Sequence, residues 1–129
     1  MCLPPQSLAQ RFYKQYTIAL LNEDFSEAFY ASLHAAWACD DAKDTLVAKT
    51  CRNNCIDLIP KMNLDDNKDT FTVMKADLLR RAERFNEVVA EFSEIKFEEK
   101  LLQNIIDFEV ARAKDHDSKV YTVQDTQLP

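Results

Sequence analysis

Glu23-Asp24-Phe25-Ser26-Glu27-Ala28 and Glu83-Arg84-Phe85-Asn86-Glu87-Val88 are two versions of one phrase, 60 residues apart. Each stands where one run of apolar residues at helical spacing stops and another begins. An aromatic followed three positions later by a small or β-branched residue can close the contact between two helices folded back on each other. The acidic residue between them falls in the first turn of the second helix, where the macrodipole favours it. The phrase therefore predicts helical hairpins, and the periodicity on either side agrees.

Working outward, Ser7-Leu8-Ala9-Gln10 matches a capping box behind Pro4-Pro5 and opens a first helix with Leu8, Phe12, Tyr16, Ala19 and Leu20 on one face. Asn22-Glu23-Asp24 interrupts it. Asp24 and Glu27 restart a second helix with the same device, and Phe25, Ala28, Phe29, Leu33, Ala36 and Trp37 lie on one side up to Asp40-Asp41. A third helix is predicted from about Asp44 to Pro60, with Val47, Cys51, Cys55, Leu58 and Ile59 in a stripe. The polar stretch from Met62 to Lys68 predicts a loop between two halves of one domain spanning residues 1–129, with residues 1–6 as a lead and 118–129 as a tail.

Three more helices are predicted at about 69–83, 85–94 and 97–115. The last is expected to be the longest and to be apolar on two sides. Lys119 to Val123 reads either as an extended segment or as a lead into a final turn capped by Thr122 and Asp125. The expected fold is all-α, with five to seven helices in antiparallel hairpins.

Composition supports this reading. The chain of 129 residues has no glycine, where about nine would be usual. Phosphate-binding loops, dinucleotide turns and nucleophile elbows need that residue for its free φ. Its absence suits a chain held almost wholly in helix, where glycine costs about 1 kcal/mol relative to alanine. The net charge is −6, with −1 in residues 1–64 and −5 in residues 65–129. That balance opposes phosphate neutralisation, so nucleic acid is not an expected partner. The cluster Arg80, Arg81 and Arg84 is interleaved with acids and predicts a solvated, paired face. No apolar run approaches the roughly 18 residues of a membrane span. The N-terminus has no secretory signal pattern and the cysteines no secretory context, so a cytoplasmic location is expected.

The turns resemble the mid-repeat turn of the tetratricopeptide family, which has an aromatic, two polar residues and a small residue. Phe25 and Phe85 take the aromatic position, and Ala28 and Val88 the small one, with Ala35, Ala48, Cys55 and Ala76 matching further small positions. Glu23 and Glu83 stand where that family usually has glycine. The resemblance implies hairpins stacked in a short right-handed superhelix over about residues 7–115, and a non-enzymatic module that binds a protein or peptide. The stretch from His34 to Asp41 and the tail from Lys114 to Asp125 also resemble uncharacterised bacterial proteins with a zinc ribbon before a helical repeat. This chain has no CxxC pair, so the ribbon itself is not expected.

Stacked hairpins present a concave surface from their first helices, and exposed aromatics there anchor partners. The candidate partner-binding residues are Tyr13, Tyr30, His34 and Trp37. A second copy of the chain, meeting an uncovered terminal helix, is a candidate partner. The glutamates at 83, 87, 91 and 94 follow one face and form either a solvated surface or a dock for a basic peptide. The alternative function is a metal-binding helical bundle, sensor or enzyme, using Cys39, Cys51, Cys55 and His34. Cys51 and Cys55, one turn apart, more simply fill a close helix contact, and their spacing is poor for a disulfide. Asp115-His116-Asp117 more simply ends a helix than binds a cation, and Asp40, Asp41 and Asp44 lack the spacing of a calcium loop. No cofactor is expected.

Overall fold

A computed structural model describes residues 7–127. They form six α-helices and no strand: α1 (Leu8–Leu21), α2 (Phe25–Asp41), α3 (Thr45–Leu58), α4 (Lys68–Arg81), α5 (Phe85–Phe92) and α6 (Lys100–Lys114). Short 3₁₀ turns follow α3 at Ile59–Lys61 and close the chain at Gln124–Gln127. Helices α1 to α3 belong to one compact unit and α4 to α6 to a second, divided after Met62. The all-α class and the helix number agree with the sequence.

In the first unit α2 packs against both α1 and α3. Its buried residues explain how it can: Ala28, Ala31, Ser32, Ala35, Ala36 and Ala38 keep its flanks thin, so both neighbours approach closely. Phe29 is fully buried among them, worth about 2–3 kcal/mol of transfer free energy. In the second unit α4, α5 and α6 pack against one another, around Phe71, Leu78, Leu79, Val88, Phe92 and Ile106.

The helix starts follow their caps. Ser7 and Gln10 exchange hydrogen bonds of 3.1 and 2.9 Å, the predicted box in full. Asp24 accepts from the Glu27 amide at 3.1 Å, but Glu27 does not return the bond; its carboxylate accepts from Gln15 of α1 instead. Asp44 caps α3 through the Val47 amide at 3.2 Å.

The helix ends correct the argument from glycine. Glu23, Lys43, Glu83 and His116 adopt left-handed φ of 55°, 59°, 65° and 54°. Each sits just past a helix, and its amide and the next close paired bonds onto the last turn, as in Glu23 to Leu20 (3.0 Å) and Asp24 to Ala19 (2.9 Å). The left-handed positions glycine normally fills are therefore present and occupied by residues with a Cβ.

After three of these ends the next helix begins within two residues, and its fourth residue, Ala28, Ala48 or Val88, is buried. Two belong to the quoted phrases; the third, Lys43-Asp44-Thr45-Leu46-Val47-Ala48, lacks the aromatic. Phe25 and Phe85 are half-buried, and each meets the chain just beyond its unit's third helix. Lys61 lies 5.5 Å from the Phe25 centroid, and His116 stacks on Phe85 at 5.1 Å and 14°.

The second unit departs from expectation at α6, which starts at Lys100 and is shorter than α2. Gln103 takes the Phe97 amide at 2.6 Å, so residues 97–99 lie outside the helix that was expected to include them. Arg80 is another correction: it is fully buried. It donates to Glu109 at 2.5 Å, to Asp77 at 3.2 Å and to the carbonyls of Asp117 and Lys119 at 2.7 and 2.8 Å. Tyr121 lies under its guanidinium, and Thr122 and Asp125 cap the last turn reciprocally.

Candidate functional site

A groove of about 570 Å³ opens on the first unit. Helices α1 and α3 flank α2, and between them Ala35 and Cys39 of α2 form the floor. One wall is Ala9, Gln10, Tyr13 and Lys14 of α1; the other is Asp44, Val47 and Cys51. Ala35 and Cys39 have small side chains, which leaves the space above α2 between α1 and α3 open. Tyr13 and Val47 are both exposed, and Lys14 and Asp44 put opposite charges on the two walls.

The four candidate residues do not share this site. Tyr13 lies on the groove, its ring 5.6 Å from Tyr16. Tyr30, His34 and Trp37 follow one another at helical spacing, well round α2 from Ala35 and Cys39. His34 stands 5.2 Å from Phe12 and 5.2 Å from Trp37, so these rings form a second surface. Tyr30 sits a turn further along, edge-on to Phe29 at 5.3 Å.

Cys39, Cys51 and Cys55 are unbridged and buried, and the first two line the groove. Cys39 of α2 and Cys51 of α3 face the groove from different helices. Burial pushes the Cys51 thiol up to about 11 and raises Cys39 as well. Cys55 lies deeper, donates to the Phe29 carbonyl at 3.5 Å and is pushed by burial up to about 12. Among the described residues no three or more His, Cys, Asp or Glu side chains come together as a metal site. The set Cys39, Cys51, Cys55 and His34 is thus not assembled.

Other acidic candidates have structural employment. Asp40 holds the buried Arg52 through bonds of 2.9 and 2.5 Å, and Asp44 caps α3. Asp115 pairs with Arg112 at 3.1 Å, and Asp117 accepts from Tyr121. On the glutamate face Glu87 is held by Arg84, and Glu91 by Lys75 at 2.8 Å.

The second unit contains a cleft of about 310 Å³ that sequence reasoning missed, with Val73, Met74, Leu102 and Ile105 beside the carboxyls of Asp77 and Glu109. Burial, and then the charge of Asp77, push Glu109 up to about 8 against the pull of Arg80. The available signal was a charge inside each of two apolar stripes, Val73-Ala76-Arg80 and Ile106-Glu109-Ala113, which invites a buried pair.

No helix is long and apolar enough to cross a membrane among the described residues. Comparison with protein-family models, curated proteins and solved structures gave no match.

Proposed function

We propose that the chain is a non-enzymatic interaction module of tetratricopeptide-like type that holds a protein or peptide segment in the groove between α1 and α3. The observation that carries this reading is the groove itself: two helices held apart over a floor of small residues, with Tyr13 exposed on one wall. In the family resembled, first helices of successive hairpins line the inner surface, and α1 and α3 hold those places here. The volume suits one or two large side chains. Lys14 and Asp44 can take the carbonyl and amide ends of a short backbone segment, so the fitting ligand is an apolar or aromatic residue within a polar peptide.

The test is a photo-reactive residue at position 13 and, separately, at position 37, with native-cell extract as the source of partner. Capture of one defined protein from position 13 alone, lost when Val47→Glu blocks the wall, is the expected result. With the captured partner purified, Tyr13→Ala should weaken binding about tenfold or more. Capture only from position 37 would move the site to the His34–Trp37 surface. Capture of the chain itself, with concentration-dependent sedimentation, would identify a second copy as the partner.

A further inference from the structure

The second unit carries a groove on the same helix face as the first, and the chain's own C-terminal segment runs across it. Gln10, Tyr13 and Lys14 of α1 line the open groove; Thr70, Val73 and Met74 of α4, each 60 residues further on, line the cleft of the second unit. The repeated turns are offset by the same 60 residues. Leu102 and Ile105 of α6 form the opposite wall, and Tyr121 and Val123 lie over it. We propose that the α4–α6 face is a second peptide-docking groove, in which residues 117–127 sit as a tethered occupant that an extended segment of a protein partner, with the same chemistry, displaces. Nothing in this site depends on what the groove of the first unit holds.

Arg80 sets the chemistry of the occupant. One guanidinium nitrogen donates to the carbonyls of Asp117 and Lys119 at 2.7 and 2.8 Å. These are backbone acceptors, so any extended segment can offer the pair. Two residues beyond the second carbonyl, the ring of Tyr121 lies 5.5 Å from the guanidinium and 5.0 Å from Phe108, which it meets edge-on. Val123 follows at the same spacing and lines the cleft. The fitting partner therefore presents an aromatic residue and, two positions later, a β-branched one, as in Tyr121-Thr122-Val123.

The tethered segment is held lightly. None of residues 114–127 is buried, and Val120 and Val123 are exposed. A cleft of about 310 Å³ remains between the segment and the two helices, whereas a fitted core leaves few voids. Segments that bury so little apolar surface open at low free energy. An empty groove is disfavoured all the same. Val73, Met74, Leu102 and Ile105 would face water, and Arg80 would lose two acceptors and the ring beside it. A loose hold on a face that resists standing empty favours exchange of one segment for another over simple opening.

The test titrates a fluorescent peptide of residues 117–127 with the full chain and reads its anisotropy. Tyr121→Ala in the chain weakens the tethered occupant and should bind the peptide about tenfold or more tighter than the wild type does. Asn104→Ala, which frees Gln127 from its 2.8 Å bond, should shift binding in the same direction. Circular dichroism checks that each chain is folded, and Asn104→Ala carries the comparison if Tyr121→Ala is not. Alanine in place of tyrosine in the peptide should abolish binding. Adding Leu102→Glu, in the α6 wall, should remove binding, and adding Val47→Glu, in the groove of the first unit, should not. Equal binding to the wild type and the variants, binding to none of them, or binding that Val47→Glu removes and Leu102→Glu leaves would each overturn the proposal.

Discussion

Glu23 holds φ at 55° because the chain must reverse between α1 and α2, and no glycine is available to do it. A left-handed residue with a Cβ costs about 1–2 kcal/mol, and an acid just past α1 also faces the negative end of that helix dipole. Glycine would relieve both while adding freedom to the unfolded chain, which offsets part of the gain. Glu23→Gly should therefore stabilise the protein by about 0.5–1 kcal/mol, seen as a Tm higher by roughly 2–4 °C. The same change at His116 should fail to stabilise, because it removes the ring stacked on Phe85. Equal stabilisation at both positions would remove the stack from this account. These residues were half-legible in sequence: the turn was evident at Glu23 and Glu83, but nothing in a Lys or His announces positive φ. Arg80 escaped for a different reason. Its neighbours Arg81 and Arg84 made it look like a surface charge, while its place one turn beyond Ala76 put it inside a stripe.

Helix beginnings were the most legible elements, since a cap is a local chemical device and does not wait for tertiary context. Ser7, Asp24 and Asp44 all do what their types suggest. Asp24 matters most, because α2 is the helix on which both neighbours pack. Asp24→Ala leaves the Glu27 amide without its acceptor and should lower stability by about 1 kcal/mol, with Asp24→Ser recovering most of it. Parallel urea titrations of the three proteins would check this, and an alanine variant indistinguishable from wild type would show the cap to be idle. The start of α6 was not legible: Gln103 reaches back six residues to Phe97, and such a side-chain loop leaves no periodic trace. The candidate site was legible only in part. The exposure of Tyr13 followed from its place off the stripe, but convergence did not, because spacing along α2 separates Tyr30, His34 and Trp37 from the face that Cys39 shares with α1 and α3.

At the scale of the molecule the chain is acidic, with net charge −6 and a pI near 4.9, so raising the pH adds repulsion to a surface already negative. Within that general trend one buried group acts locally. Glu109 titrates near 8 in the folded protein against an ordinary value of 4.5, so between those values the native state holds a proton that the unfolded chain has released. Stability from this group is fully present below pH 4.5 and is lost as pH rises toward 8, by at most about 1.4 kcal/mol per pH unit for one proton. Glu87 and Asp117 act in the opposite sense and in another window: their values are lowered, chiefly by hydrogen bonds from Arg84 and Tyr121, so their contributions fade only as pH falls below the usual carboxylate range. Glu109→Gln keeps an oxygen acceptor for the Arg80 guanidinium and removes the proton. Urea midpoints followed by far-UV circular dichroism from pH 5 to 8 should fall with pH in the wild type and fall much less in the variant. Superimposable slopes would mean that surface repulsion alone sets the pH dependence and that Glu109 is ionised beside Arg80 throughout.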